Sequence, residues 1–143
     1  MVPTDGSERA LRAARIAVGL AARMRASLTV LYVTLQGVPG AFSGGAIYAS
    51  AVLGRQYEAL LQKQAVDALD AVKREARGAG VPVSALRRIA RHPWRAILAV
   101  ARERECDLVV MASHGRGGAP ALLLGSETTK VLAHSKIPVL VCR

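Results

Sequence analysis

The sequence predicts a single α/β domain built on an open, five-stranded parallel sheet with helices on both faces. Three observations lead there. Short β-branched apolar runs alternate along the chain with longer segments of helical period. The runs are apolar nearly throughout, as expected of strands buried on both faces. The chain has 143 residues, 52% of them hydrophobic, which is long enough for a full core and apolar enough to offset the conformational entropy of folding.

Met1 to Thr4 reads as a short extended start, with Pro3 suited to a strand or its end. Ser7 opens a helix running to about Arg25. Its Ala10, Ala13, Ala14, Ala17, Leu20, Ala21 and Met24 share one arc, with Arg9, Arg12, Arg15 and Arg23 opposite. Ser27 to Val33 is the second strand. Residues 34–53, rich in glycine with Pro39, read as a long loop of the kind usually kept for function. Gly54 to Gly78 is a helix with a stripe of Leu60, Leu61, Ala65, Ala68, Leu69 and Val72, stopped by Gly78-Ala79-Gly80. Val81 to Ile89 is the third strand. His92-Pro93 starts the next helix, because proline at the first helical position gives up no needed N–H. Its stripe is Ile97, Leu98 and Ala101, and it ends near Glu105. Asp107 to Met111 is a buried strand, followed by the polar Ser113-His114-Gly115-Arg116-Gly117-Gly118. Gly125-Ser126 opens a last helix to about Ser135, and Ile137 to Cys142 is the final strand.

Composition narrows the function. Lys plus Arg number 20 against 10 Asp plus Glu, a formal charge of +10, compatible with nucleic acid, phosphate ligands or a basic surface. Aromatics make up only 3%, against single-strand binding by base stacking. The arginines cluster on the first helix and around the third strand and its helix, and Arg116 alone falls in a candidate ligand loop, so most of the charge reads as solvated surface. Residues 26–54 carry no charged side chain, but five glycines, Pro39 and Gln36 interrupt the run, which excludes a spanning helix. No basic-then-apolar leader precedes Val2. The two cysteines, Cys106 and Cys142, fall at opposite ends of neighbouring parallel strands, about 15 Å apart at roughly 3.3 Å per residue. That is too far for a disulfide, and a reduced cytoplasmic protein is expected.

Ligands of open parallel sheets bind at the carboxyl ends of the strands. Thr4-Asp5-Gly6-Ser7, the loop after Val33, and Ser113 to Ser126 should meet there. Glycines permit close approach to phosphate oxygens, and a helix start favours anions. Ser126 can cap its helix or meet a phosphate, and Asp5 can cap the first helix with Glu8 as reciprocal partner. His114 lies in the same loop, and no partnered carboxylate or nucleophile is identifiable nearby in sequence, which suits a loop or ligand-contact role better than catalysis. His92 reads as a helix cap and His134 as a residue near a helix C-terminus. The three histidines lack metal-ligand spacing, and no P-loop or Ser-His-Asp spacing occurs.

Taken together, VPTDGSERA, TVLYV, HPWRAIL and DLVVMASHGRGG…LLLGSETTKVLAHSKIPVLV resemble the universal stress protein family over nearly the whole chain. Gly115, Gly125 and Ser126 match the later positions of its G-x2-G-x9-G-(S/T) nucleotide signature. Ala112 stands at the first glycine, a departure that a negative φ would tolerate and a positive φ would not. The resemblance implies a Rossmann-like fold of the adenine nucleotide alpha hydrolase type and binding of ATP, with or without Mg, as a stress-response sensor or switch, with slow hydrolysis at most. The implied contacts are Asp5, with Pro3 and Thr4 beside it, at adenine or ribose, and Val33 at adenine through its backbone. Met111, Ala112, Ser113, His114, Gly115 and Arg116, with Gly125, Ser126 and Glu127, are implied around ribose and phosphates. The apolar last strand, 137–142, implies a homodimer. The alternatives are a nucleotide-free dimeric interaction protein of the same fold, and nucleic-acid binding, which lacks aromatics and a recognition helix.

Overall fold

The computed structural model describes residues 1–36, 47–115 and 124–143, with backbone alone for 47–53. Its elements in chain order are β1 (Val2–Thr4), α1 (Glu8–Met24), β2 (Leu28–Leu35), α2 (Ile47–Gly78), β3 (Val83–Ala90), α3 (Pro93–Glu103), β4 (Val109–Ala112), α4 (Ser126–His134) and β5 (Val139–Cys142). Side chains alternate across each strand, and this sorts the core into two layers. Val2, Val30, Tyr32 and Val110 pack with Ala14, Ala17 and Val18 of α1 and Ala65, Ala68 and Val72 of α2. Their strand neighbours Met1, Leu31, Val109 and Met111 pack with Ile97, Val100 and Ala101 of α3 and Val131 of α4. The helices therefore cover both faces, as expected.

Every strand pairing is parallel. Thr4 lies opposite Tyr32, β2 pairs β3 from Leu28–Val83 to Leu35–Ala90, and Ala112 lies opposite Cys142. The ladders form a three-stranded sheet, β1-β2-β3, and a two-stranded sheet, β4-β5, where a single five-stranded sheet was expected. The two meet at a seam: the Val110 N–H donates to the Met1 carbonyl at 2.9 Å, and the Met1 ammonium donates to the Leu108 carbonyl at 2.6 Å. With three residues, β1 is too short to carry a ladder on this side as well. The spatial order is β3-β2-β1-β4-β5, reversing direction between β1 and β4, the point where open α/β sheets form their binding crevice.

Some boundaries and faces differ from the sequence reading. The loop expected over 34–53 is shorter at both ends, because β2 continues through Leu35 and α2 begins at Ile47; residues 37–46 lie outside the described residues. Met24 is 69% exposed and Leu60 50%, while Val18 is buried in place of Met24. The buried arc of α1 packs on Val2, Val30, Tyr32 and Val110 with Leu11 and Leu20 partly buried beside it, and Met24 falls at the last position of the helix. No helix among the described residues is long and apolar enough to cross a membrane.

Three helices end alike. The residue after α1, α2 or α3 that adopts a left-handed conformation is Arg25 (φ 53), Gly80 (φ 67) or Glu105 (φ 50). In each, its N–H donates back to Ala22, Arg77 or Arg102, and the following N–H donates to Ala21, Ala76 or Ala101. This is the Schellman pattern of paired backbone bonds. Glycine fills it once; arginine and glutamate fill it at steric cost.

Candidate functional site

At the carboxyl end of β1 the chain folds over its own side chains. Thr4 Oγ1 accepts from the Gly6 N–H at 3.2 Å, and Asp5 Oδ1 accepts from the Ser7 N–H at 2.9 Å. Ser7 is the N-cap of α1, its hydroxyl accepting from the Ala10 N–H at 3.2 Å. The expected Asp5–Glu8 capping box is absent, and Glu8 instead pairs with Arg12 at 3.3 Å. Ser7 wins because it sits one step from the helix in an extended conformation (φ −71, ψ 158), leaving Asp5 to hold the turn.

The end of β4 is laced to the start of α4. Thr128 Oγ1 donates to the Ala112 carbonyl at 3.1 Å. The Ser113 N–H donates to the Cys142 carbonyl at 2.7 Å, and the Ser113 carbonyl accepts from the Gly125 N–H at 2.8 Å. A Cβ on Gly125 would lie 3.1 Å from the Ser113 oxygen and 3.3 Å from His114 Cα; the missing side chain lets two backbones touch. Ala112 has no positive φ, so its methyl meets no backbone objection. Burial raises the pKa of the nearby Cys142 thiol.

His114 is 6% exposed, and its Nδ1 lies 3.2 Å from Ser113 Oγ. Its Nε2 is buried without a hydrogen-bond partner, alone in this among the described side chains. Leaving such an atom unpaired costs about 1–3 kcal/mol. The ring lies against the start of α4, with Cδ2 3.7 Å from the Gly125 Cβ position. That helix has Gly125 as N-cap, with no side-chain capping bond, and Ser126 is exposed at its first position.

The two strand ends converge. A Cβ on Gly115 would stand 2.7 Å from Asp5 Oδ2, so the β1 carboxylate rests on the β4 loop. Pro3 lies in β1 opposite Leu31, and Val33, half-buried, follows the residue opposite Thr4. Met111 contributes its side chain to the core, leaving only its backbone for a ligand. Glu127 is otherwise engaged: its carboxylate accepts from the Trp94 N–H at 2.8 Å and from Lys130 Nζ at 3.1 Å. It thereby caps α3, the role expected of His92, which holds the N-cap position without a side-chain bond. Arg116 lies outside the described residues. Neither the Glu127 cap nor the Thr128 tie was foreseen; the only sequence signal for the latter is a threonine three residues past Gly125.

These features define a doubly wound α/β protein with a polar mouth at the β1/β4 reversal: one carboxylate, a buried imidazole nitrogen in need of a partner, and a helix start open to an anion. Comparison with known proteins agrees with this fold class. The chain belongs to the universal stress protein family, whose model matches residues 1–143. Universal stress protein MJ0531 of Methanocaldococcus jannaschii is 30% identical, over all of this chain and 80% of its own. Among solved structures, the protein MJ0577 superposes with a TM-score of 0.78 at 25% identity, covering 98% of this chain and 91% of its own. A universal stress protein solved in complex with cAMP superposes at 0.66, also at 25% identity, covering 99% and 93%.

Proposed function

We propose that this protein binds an adenine nucleotide, with ATP the first candidate, at the β1/β4 mouth, and serves as a cytoplasmic stress-response sensor or switch. The observation that carries the reading is the buried, unpartnered Nε2 of His114 beside an α4 start that has no side-chain cap. A bound oxygen anion would satisfy both. In this reading Asp5 accepts from a ribose or adenine donor, and Ser126 donates to a phosphate. The cAMP complex of a family member of the same fold supports the adenine class. Calorimetry with ATP and with cAMP, each with and without Mg, tests it: saturable heat is expected, and none at millimolar nucleotide would overturn the reading.

A homodimer belongs to the same proposal. Among the described strands β5 pairs only with β4, and Leu140 on it is 39% exposed. An apolar edge strand of this kind is normally covered, and a second copy of β5 would cover it. Sedimentation should give twice the 15.1 kDa chain mass; a monomer at micromolar concentration refutes the pairing.

The nucleotide-free reading keeps one observation. Gly125 is fully accounted for by backbone packing, since its N–H is bonded and its Cβ space is filled by Ser113 and His114. The same calorimetry decides between the two.

A further inference from the structure

A groove of about 620 Å³ lies between α3 and the end of α4, and its lining includes no residue of the β1/β4 mouth. Small-molecule sites span about 300–1,000 Å³. Leu98 and Ile137 form its apolar wall and reach the inner layer of the core. Trp94, the single tryptophan of the chain, stands half-buried in it. The His134 imidazole lies 4.6 Å from the indole centroid, and the Arg95 guanidinium 5.1 Å from it. Arg102 and Lys136 complete the lining on the charged side.

The groove brings three cations without ion pairs beside an apolar wall. Ion pairs among the described residues engage Arg12, Arg15, Lys63, Lys73, Arg87, Arg88 and Lys130, and none of the groove's Arg95, Arg102 and Lys136. Glu105 and Asp107 also line it, and neither comes within ion-pair distance of those cations. Unpaired cations beside an apolar wall favour a ligand with a charged end and an apolar body. The two carboxylates oppose a multiply charged ligand, because a polyphosphate would bring several negative charges close to them.

We infer that this groove binds a small amphipathic monoanion, an organic carboxylate or sulfonate, its apolar body on Leu98, Ile137 and the edge of Trp94 and its charge held by Arg102 and Lys136. The site is separate from the nucleotide mouth and does not depend on it. The probe is 1-anilinonaphthalene-8-sulfonate, read by energy transfer from Trp94, with uncharged 1-anilinonaphthalene as control. Saturable transfer at one probe per chain is expected, with about tenfold weaker binding of the uncharged control. Arg102→Ala combined with Lys136→Ala should raise Kd about tenfold, and Glu105→Gln should lower it about threefold. Excess ATP should leave the transfer unchanged. Equal urea midpoints for parent and variants show that the fold is intact, and Lys136→Ala alone serves if the double variant is unstable. Non-saturating transfer, a Kd insensitive to Arg102 and Lys136, or displacement of the probe by ATP would each overturn the assignment.

Discussion

The contact between Asp5 and Gly115 makes a prediction that changes sign with background. Gly115→Ala places a methyl 2.7 Å from Asp5 Oδ2, where ordinary contact begins at 3.4 Å. The oxygen must therefore retreat by about 0.7 Å, and the carboxylate turns as one plane. Its other oxygen holds the Ser7 N–H at 2.9 Å at the entrance to α1, a bond to a charged group worth about 1.5–3 kcal/mol. Partial solvent exposure keeps the loss at the lower end. Replacing glycine returns about 0.4–1 kcal/mol through the unfolded chain. The net effect of Gly115→Ala is a loss of about 1 kcal/mol, or about 3 °C in Tm for a chain of this size. In an Asp5→Ala background the methyl meets no described residue, and the same substitution should stabilise by about 0.4–1 kcal/mol. Urea denaturation of the four proteins gives a coupling of about 2 kcal/mol. A coupling within about 0.5 kcal/mol of zero, the range of independent sites, would show that Asp5 does not rest on the β4 loop, and the mouth described above would lose its carboxylate.

Four further outcomes follow from single features. Arg25→Gly and Glu105→Gly should each stabilise by about 0.5–1 kcal/mol, while Gly80→Ala, at the equivalent helix end, should cost about 1 kcal/mol; thermal melts check the opposite signs. Glu127→Ala removes the cap on α3 and should cost about 1 kcal/mol, with Glu127→Gln retaining part of it, both measured by urea midpoint. His114→Phe removes the orphan nitrogen but also the Nδ1 contact to the buried Ser113 hydroxyl, so the two effects offset and the ligand-free protein should change by less than about 1 kcal/mol, yet nucleotide Kd should rise at least about tenfold; equal affinity by calorimetry refutes the ligand role. Burial raises the Cys142 pKa, so less thiolate is present at any given pH than for an ordinary thiol near 8.5. Alkylation of Cys142, followed by mass spectrometry, should reach half its limiting rate at a higher pH than a free cysteine measured alongside; a midpoint at or below that of the free thiol contradicts it.

How far the sequence carries depends on whether a residue's role is decided within its own element. The apolar runs and helical arcs placed all nine elements of the described residues, because a short apolar run such as β2 or β4, buried on both faces, is a property of neighbouring residues alone. The α1 cap was less legible: Asp5 and Ser7 are both short polar residues upstream of the helix, and Ser7 takes the cap because it stands directly before the first turn, while the position of Asp5 over Gly115, 110 residues away in the chain, has no local signal at all. Glu127 reads as a site residue because it follows Gly125-Ser126, yet its partner is the Trp94 N–H of another helix. Nothing local to either segment signals that bond. The burial of His114 is likewise tertiary, set by the close approach of α4.

The signature glycines show the deepest limit. A glycine spaced for phosphate contact and a glycine spaced for chain contact leave the same mark in a sequence, since both report only that a Cβ has no room. Here Gly115 makes room for Asp5, and Gly125 for Ser113 and His114, in the protein without ligand. A bulky substitution such as Gly125→Val would damage the loop and any phosphate cradle together, so its failure to bind nucleotide would not tell them apart. The discriminating positions are those whose side chains the fold does not use: Ser126, exposed at the start of α4, and His114 Nε2, buried and unpaired. Evidence for a ligand therefore rests on polar groups the chain leaves unsatisfied, and the glycines show only that the chain closes tightly around them.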